Sequence, residues 1–123
     1  MRFIDSNILA YAFYDNEKRE KCQELIKEGG IINTVNLIEA YHIIQFETNR
    51  EYATTSIKSL LKSDLKIIST DLNLVFEALK RAKKYEKLTF IDLLHYVTAL
   101  LQNCDEIASY DADFDGLDVK RTA

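Results

Sequence analysis

The sequence predicts an α/β fold: a three-layer sandwich with a short, mostly parallel central sheet of four to five strands, flanked by helices. Short apolar segments typical of buried strands alternate along the chain with longer segments whose apolar residues follow helical spacing. Few hairpin signals separate them, so successive strands are expected to pair in parallel across helical connections. A length of 123 residues fits one domain, 1–123.

The first quarter of the chain predicts a strand, two helices and a second strand. Arg2-Phe3-Ile4 predicts a short apolar strand, and helical spacing follows it. A strand-to-helix turn is therefore expected at Asp5, which suits the N-cap position. Glu17 to Glu28 has the pattern of an amphipathic helix. Gly29-Gly30 ends that helix, because glycine readily takes the left-handed conformation of a C-cap. Ile31-Ile32 predicts the second strand.

The middle of the chain predicts three helices around a third strand. A helix is expected from Asn36 with Glu39 in its first turn, since Asn36-Leu37-Ile38-Glu39 fits a capping box. Residues Arg50–Leu61 follow as another helix, and Lys66–Ser69 predicts the third strand. Thr70 is then expected to cap a helix that carries basic residues near its end.

The last part of the chain predicts the most apolar helix, Thr89–Leu101, and the final strands. Asp92 stands in the first turn of that helix, and Thr89-Phe90-Ile91-Asp92 also fits a capping box. Glu106–Ser109 predicts a fourth strand, and Asp118–Arg121 a short fifth.

Composition limits the classes of function. Two cysteines and two histidines are too few for a disulfide framework or a zinc site built on imidazole. No apolar run approaches the roughly 18 residues of a membrane span, and no signal segment precedes the first strand. We therefore expect a cytoplasmic protein without a membrane partner.

Charge is unevenly distributed along the chain. A net charge of −4 argues mildly against nucleic-acid binding, but five basic residues fall close together before the apolar helix. They flank Asp92 in sequence and would meet phosphates there, or would simply complement a helix C-terminus. These residues are Lys80, Arg81, Lys83, Lys84 and Lys87.

Four acidic residues stand where a strand ends or a helix begins: Asp5, Glu39, Asp92 and Asp111. Each taken alone is explained as a cap or a loop residue. Parallel strands open their carboxyl ends on one edge of a sheet, however, and side chains there can converge on one cation. Clustered carboxylates repel one another unless a divalent ion neutralises them, and carboxylate oxygen suits Mg²⁺ or Mn²⁺.

The run Asp111-Ala112-Asp113-Phe114-Asp115-Gly116 matches the first half of an EF-hand calcium loop. Position 12 of such a loop needs a bidentate Glu, but the residue there is Thr122, with no chain left for an exiting helix. We therefore do not expect an EF-hand.

Four motifs together resemble one known family. They are Phe3-Ile4-Asp5-Ser6-Asn7-Ile8-Leu9, Asn33-Thr34 followed by Glu39, Leu88-Thr89-Phe90-Ile91-Asp92, and Ser109-Tyr110-Asp111-Ala112-Asp113-Phe114. In this order and at these separations, they resemble the PIN-domain ribonucleases, and most closely the single-domain VapC-type toxins of toxin–antitoxin pairs. The likeness spans essentially the whole chain.

This resemblance implies a metal-dependent endoribonuclease in which the four acids hold one or two Mg²⁺ or Mn²⁺ ions. A metal-bound water would attack the scissile phosphorus and leave 5′-phosphate and 3′-hydroxyl ends. It also implies RNA, a cognate antitoxin and a second copy of the chain as partners. Accessory residues that hold carboxylates or water would come from Ser6, Asn7, Thr34, Ser109, Asp113 and Asp115, of which the last two also fit a solvated loop.

Two other functions stay open at this level. The first is a non-catalytic PIN-like module for RNA binding or assembly, which the presence of all four acids disfavours. The second is a phosphohydrolase of the haloacid dehalogenase type with Asp5 as nucleophile, but Asn7 stands where that family has a second Asp.

Overall fold

A computed structural model describes all residues, 1–123, and contains five strands, six helices and one short 3-10 helix. The strands are β1 (Arg2–Ile4), β2 (Ile31–Asn33), β3 (Lys66–Ile68), β4 (Glu106–Ala108) and β5 (Lys120–Thr122). The α-helices are α1 (Ser6–Tyr11), α2 (Arg19–Glu28), α3 (Thr34–Glu47), α4 (Arg50–Leu61), α5 (Leu72–Arg81) and α6 (Phe90–Leu101). The 3-10 helix covers Ala112–Phe114. None of the helices has the length and apolar character needed to cross a membrane.

The five strands form one sheet in the order β3-β2-β1-β4-β5, and every pair is parallel. The predicted parallel α/β sheet is therefore confirmed. Phe3 on the central strand lies opposite Ile31 on one side and Ile107 on the other. The chain builds outward from β1 in one direction, then restarts at β4 beside β1. Such a reversal opens a crevice outside the carboxyl ends of the two strands.

Alternation along the strands divides the buried apolar residues between the two faces of the sheet. Phe3, Ile31 and Ile107 belong to a cluster with α5 and α6. Their neighbours Ile4 and Ile32 belong to a second cluster with helices α1 to α4. Successive strand residues point to opposite faces, so a sheet covered on both sides needs apolar residues at every position. This is the predicted three-layer sandwich.

The start of α3 differs from the prediction. The helix begins at Thr34, and Asn33 is its N-cap, whose side chain accepts a hydrogen bond from the N–H of Asn36. Asn36 therefore occupies the third helical position of a reciprocal Asn33–Asn36 capping box. The expected box from Asn36 to Glu39 is wrong, and Glu39 lies beyond the first turn. The helix starts earlier because Asn33, at the end of β2, already supplies the oxygen that the first N–H groups require.

Other element ends are close to prediction, with two shifts. Asp71, and not Thr70, caps α5, because its carboxylate reaches the N–H of Leu74. The fifth strand starts two residues later and ends one residue later than expected, at Lys120–Thr122. Asp5 and Thr89 cap α1 and α6 as predicted, and Gly29 ends α2 with φ +90°.

Candidate active site

The carboxyl ends of β1, β2 and β4 bring polar residues to one edge of the sheet. Asp5 and Ser109 directly follow the adjacent strands β1 and β4, at the point where the strand order reverses. Asn33 ends β2 on the other side of β1. All three are buried, with Asp5 only 5% exposed. This edge is where ligands of open parallel sheets are bound.

Asp5 is held by hydrogen bonds to both of its carboxylate oxygens. The Ser6 N–H donates to Oδ1 at 2.7 Å, and the Ser109 hydroxyl donates to Oδ2 at 2.7 Å. The Ser109 hydroxyl in turn accepts from the N–H of Asp111 at 2.9 Å, which leaves its own hydrogen for Asp5. Burial raises the pKa of Asp5 above its ordinary value, although the Ser109 and Ser6 bonds oppose the shift. Its charged form is thus costly without a cation.

Glu39 extends from α3 towards the same region. Its Oε1 accepts from the Ser6 hydroxyl at 2.6 Å and lies 2.5 Å from Nε2 of the fully buried His95. Burial disfavours ionisation, but the hydrogen bonds from His95 and Ser6 outweigh it and hold the pKa of Glu39 below its ordinary value. Glu39 therefore stays ionised at neutral pH.

Asp92 and Asp111 complete the acidic group. Asp92 stands in the first turn of α6, where the Thr89 hydroxyl accepts its N–H. Burial raises the pKa of Asp92, and the negative charges of Asp5 and Asp111 raise it further. Asp111 caps the 3-10 helix through Oδ1, which accepts from the N–H of Asp113. Asp5 and Asp111 therefore lie close enough to Asp92 for their charges to act on it.

The donor set fits a hard divalent cation. None of the four acids forms an ion pair with Lys or Arg. The only basic side chain within ion-pair distance of any of them is His95, which contacts Glu39. As the side chains stand, no three His, Cys, Asp or Glu residues lie close enough together to hold a metal ion. A cation of this kind would nevertheless relieve the repulsion and burial cost that raise the pKa values of Asp5 and Asp92.

The six accessory residues have different surroundings. Ser6 and Ser109 donate to site carboxylates, as described above, whereas Thr34 accepts from the N–H of Thr70 and contacts none of the four acids. The Asn7 side chain forms no hydrogen bond, and the exposed Asp113 side chain forms none either. Asp115 is paired with Arg121, whose guanidinium lowers the pKa of Asp115. The structure thus brings the side chains of two of the six residues, Ser6 and Ser109, to the acids.

The basic residues around the end of α5 are only partly free for a ligand. Lys80 and Arg81 both pair with Glu77, one turn earlier on the same helix. Lys87 donates to the main-chain oxygen of Asp115, next to the loop that carries Asp111. Lys83 and Lys84 form no ion pair. Within this group, the positive charge that no carboxylate pairs is therefore carried by Lys83, Lys84 and Lys87.

Three residues of the site region were not predicted: His95, Asn33 and Asn36. All three are fully buried and hydrogen-bonded around Glu39 and Ser6. A sequence signal existed for His95, because it follows Asp92 by three residues and so lies on the same side of α6. Asn36 gave only a capping signal, and Asn33 was noted only as part of the motif Asn33-Thr34.

The largest surface cavity lies elsewhere. It has a volume of about 770 Å³ and is lined by residues such as Arg2, Gly30 and Glu106, at the amino ends of the strands. Arg2 is paired there with Glu28 and Glu106. We place the functional site at the opposite edge, because the unpaired and electrostatically perturbed groups are there.

Comparisons with known proteins gave matches over nearly the whole chain. The family model described as the PIN domain matches residues 2–120. Among solved structures, the chain is similar to VapC20 of Mycobacterium tuberculosis, described as a toxin that cleaves the sarcin-ricin loop. The two share 12% sequence identity with a TM-score of 0.81, over 97% of this chain and 98% of the other. No curated protein matches the sequence.

Proposed function

This chain belongs to the PIN domain family, and on that premise we propose that it is a Mg²⁺- or Mn²⁺-dependent endoribonuclease. Asp5, Glu39, Asp92 and Asp111 would hold the cation. The observation that carries the proposal is the group of acids at the strand reversal. Burial raises the pKa values of Asp5 and Asp92, repulsion from neighbouring acids adds to the rise, and neither residue forms an ion pair with Lys or Arg. A divalent cation would neutralise this charge, and carboxylate oxygens are ligands that Mg²⁺ and Mn²⁺ prefer.

The residues of the chain divide the remaining work. When bound, the cation supplies a Lewis acid that stabilises charge on the phosphate and makes water a better nucleophile. The Ser6 and Ser109 hydrogen bonds hold the Asp5 carboxylate in one orientation. Ser6 and His95 hold Glu39 in the same way. The chain needs no side-chain nucleophile, which agrees with a site that offers only carboxylates to the substrate.

We assign RNA as the substrate and the cytoplasm as the place of action. Lys83 and Lys84 offer free positive charge for phosphates, and Lys87 reaches the loop next to Asp111. Lys80 and Arg81 contribute less because Glu77 pairs with both. The similar fold of VapC20, which is described as a toxin that cleaves the sarcin-ricin loop, supports the same substrate class.

We also propose that the chain acts as one domain, as the toxin of a toxin–antitoxin pair, and that it binds an antitoxin protein and a second copy of itself. Two sets of exposed apolar side chains support protein contacts of this kind. One lies on α3 and α4, and the other lies on α5. They are Ile38, Phe46 and Leu61, and Leu72, Phe76 and Leu79. The family membership leaves no support for a phosphohydrolase of the haloacid dehalogenase type.

The proposed activity is tested by incubating structured RNAs with the purified chain in Mg²⁺, in Mn²⁺ and in EDTA. We expect cleavage with either metal and none in EDTA, because the carboxylates alone cannot activate water. Asp92→Asn should abolish cleavage while the fold is retained. Asp64→Asn is the matched control, since Asp64 is an exposed acid at the opposite edge of the sheet that forms no ion pair.

Two results would contradict the proposal. One is cleavage that persists in EDTA or in Asp92→Asn. The other is RNA binding without cleavage under every metal condition, which would identify a non-catalytic RNA-binding module.

A further inference from the structure

Two buried asparagines form a reciprocal pair at the start of α3. The Asn33 N–H donates to Oδ1 of Asn36 at 2.7 Å, and the Asn36 N–H donates to Oδ1 of Asn33 at 2.9 Å. A backbone N–H can only donate, so each bond identifies the side-chain atom that it meets as the amide oxygen. Both amide nitrogens must then point away from the pair.

The Asn36 amide nitrogen fixes the direction of the next hydrogen bond. It donates to the Ser6 hydroxyl at 2.8 Å, so the Ser6 oxygen is an acceptor on that side. The Ser6 hydrogen is then directed to Oε1 of Glu39, 2.6 Å away. A hydroxyl free to rotate would not have this fixed direction.

The Asn33 amide nitrogen fixes the state of His95. It lies 3.1 Å from Nδ1 of His95 and 3.0 Å from the Thr98 hydroxyl, and it donates to both. Nδ1 must therefore accept and carry no hydrogen. The imidazole hydrogen is on Nε2, which donates to Oε1 of Glu39 at 2.5 Å. The hydrogen bond that one ring nitrogen makes thus determines whether the other ring nitrogen carries the hydrogen.

Both paths end on the same oxygen of Glu39. Oε1 receives two donors, whereas no hydrogen bond reaches Oε2, and the side chain is 30% exposed. The carboxylate is thus held by one oxygen with the other left for a ligand. We propose that Asn33, Asn36 and His95 are positioning residues that hold Glu39 with Oε2 directed to a divalent cation, an inference that rests on the proposed function.

A network that served stability alone would need its hydrogen bonds only to be satisfied. Here, the N–H groups of Asn33 and Asn36 fix the donor and acceptor of every later hydrogen bond. The two series of hydrogen bonds both end on Oε1 of Glu39. Partners of this kind around a metal ligand typically change metal affinity or activity by about 10–100-fold when removed. His95 therefore influences the cation through Glu39, without touching it.

The first test measures the His95 tautomer in the metal-free protein by nitrogen-15 NMR of the imidazole rings. The chain has only two histidines, so His95→Gln assigns the signals by removing one set. We expect the hydrogen on Nε2. A hydrogen on Nδ1 would overturn the inference whether or not the protein cleaves RNA.

The second test measures the dissociation constant of Mn²⁺ by electron paramagnetic resonance, without RNA. His95→Leu removes the donor and should weaken Mn²⁺ binding by about 10-fold or more. His95→Gln keeps an N–H donor, so its dissociation constant for Mn²⁺ should stay within about 3-fold of the wild-type value. This is less than the change in metal affinity that typically follows the loss of a ligand's hydrogen-bond partner. His42→Gln is the matched control, because His42 is exposed on α3 and should bind Mn²⁺ as the wild type does.

Two outcomes of the metal measurement would overturn the inference. The first is wild-type affinity in His95→Leu. The second is equal weakening in His95→Gln and His95→Leu, which would mean that only the packing of the ring matters. If the wild type binds Mn²⁺ and follows these expectations yet cleaves no RNA, the proposed function fails while the positioning role stands.

Discussion

Replacing Ser109 with Ala should destabilise the metal-free protein by an amount that depends on pH. Ser109 is completely buried, so no water can take the place of its hydroxyl. The substitution removes the donor to Oδ2 of Asp5 and the acceptor for the Asp111 N–H. A hydrogen bond to a charged group contributes about 1.5–3 kcal/mol, and an N–H left without an acceptor costs about 1 kcal/mol or more. Together, we expect a loss of about 2–4 kcal/mol at neutral pH.

The pH dependence follows from the raised pKa of Asp5. Burial raises this pKa above its ordinary value of 3.8, and Ser109 holds it down in part, so Ser109→Ala should raise it further. Protonated Asp5 has no need of the donor. The loss is therefore complete above the pKa of Asp5 in the variant, and it shrinks as the pH falls through that value. A constant part remains, since the Asp111 N–H does not titrate.

The assay is urea unfolding in EDTA, followed by circular dichroism at a series of falling pH values. Ser56→Ala is the matched control, because Ser56 is also buried but donates to the neutral main-chain oxygen of Tyr52 at 2.8 Å. Its cost should be about 1 kcal/mol or less and independent of pH. Equal losses in the two variants, or a Ser109→Ala loss that does not change with pH, would refute this account of Asp5.

Three further results are expected. Asp92→Asn should stabilise the metal-free protein by about 0.5–1 kcal/mol at low salt, because it removes the carboxylate whose ionisation the folded state disfavours. This gain in stability should vanish as the pH falls through the raised pKa of Asp92. A less stable variant in urea unfolding would contradict the prediction. Gly30→Ala should lower the stability by about 2 kcal/mol, because the new Cβ would lie 2.8 Å from the Arg2 carbonyl oxygen. Gly29→Ala should lower it by about 1 kcal/mol, because the Cβ would have free space and only the φ of +90° is unfavourable. The reverse order in thermal unfolding would exclude the close contact as the cause. The double substitution of Lys83 and Lys84 by Ala should weaken RNA binding. The slope of log K against log salt concentration should become shallower by up to about 0.7 per lost phosphate contact. An unchanged slope in binding titrations would show that the two residues do not contact RNA.

The sequence was sufficient where neighbouring residues decide the structure. Asp5 was predicted as the cap between β1 and α1 because a strand pattern ends and a helix pattern begins around it. Gly29 was predicted as a helix end because few other residues take φ +90° easily. The start of α3 was missed because two plausible caps stand three residues apart, and only the end of β2 determines that Asn33 is used.

The sequence by itself therefore determined the alternation of strands and helices and the chemical character of the candidate site, a set of carboxylates. Three of them stand at element ends, and Glu39 lies further along α3. Tertiary structure decided which groups meet. The restart of the sheet at β4 places Ser109 beside Asp5 across 104 positions, and packing of α6 on the sheet brings His95 to Asn33 across 62 positions. Contacts at such separations depend on strand order and helix packing, which a local pattern of residues does not specify.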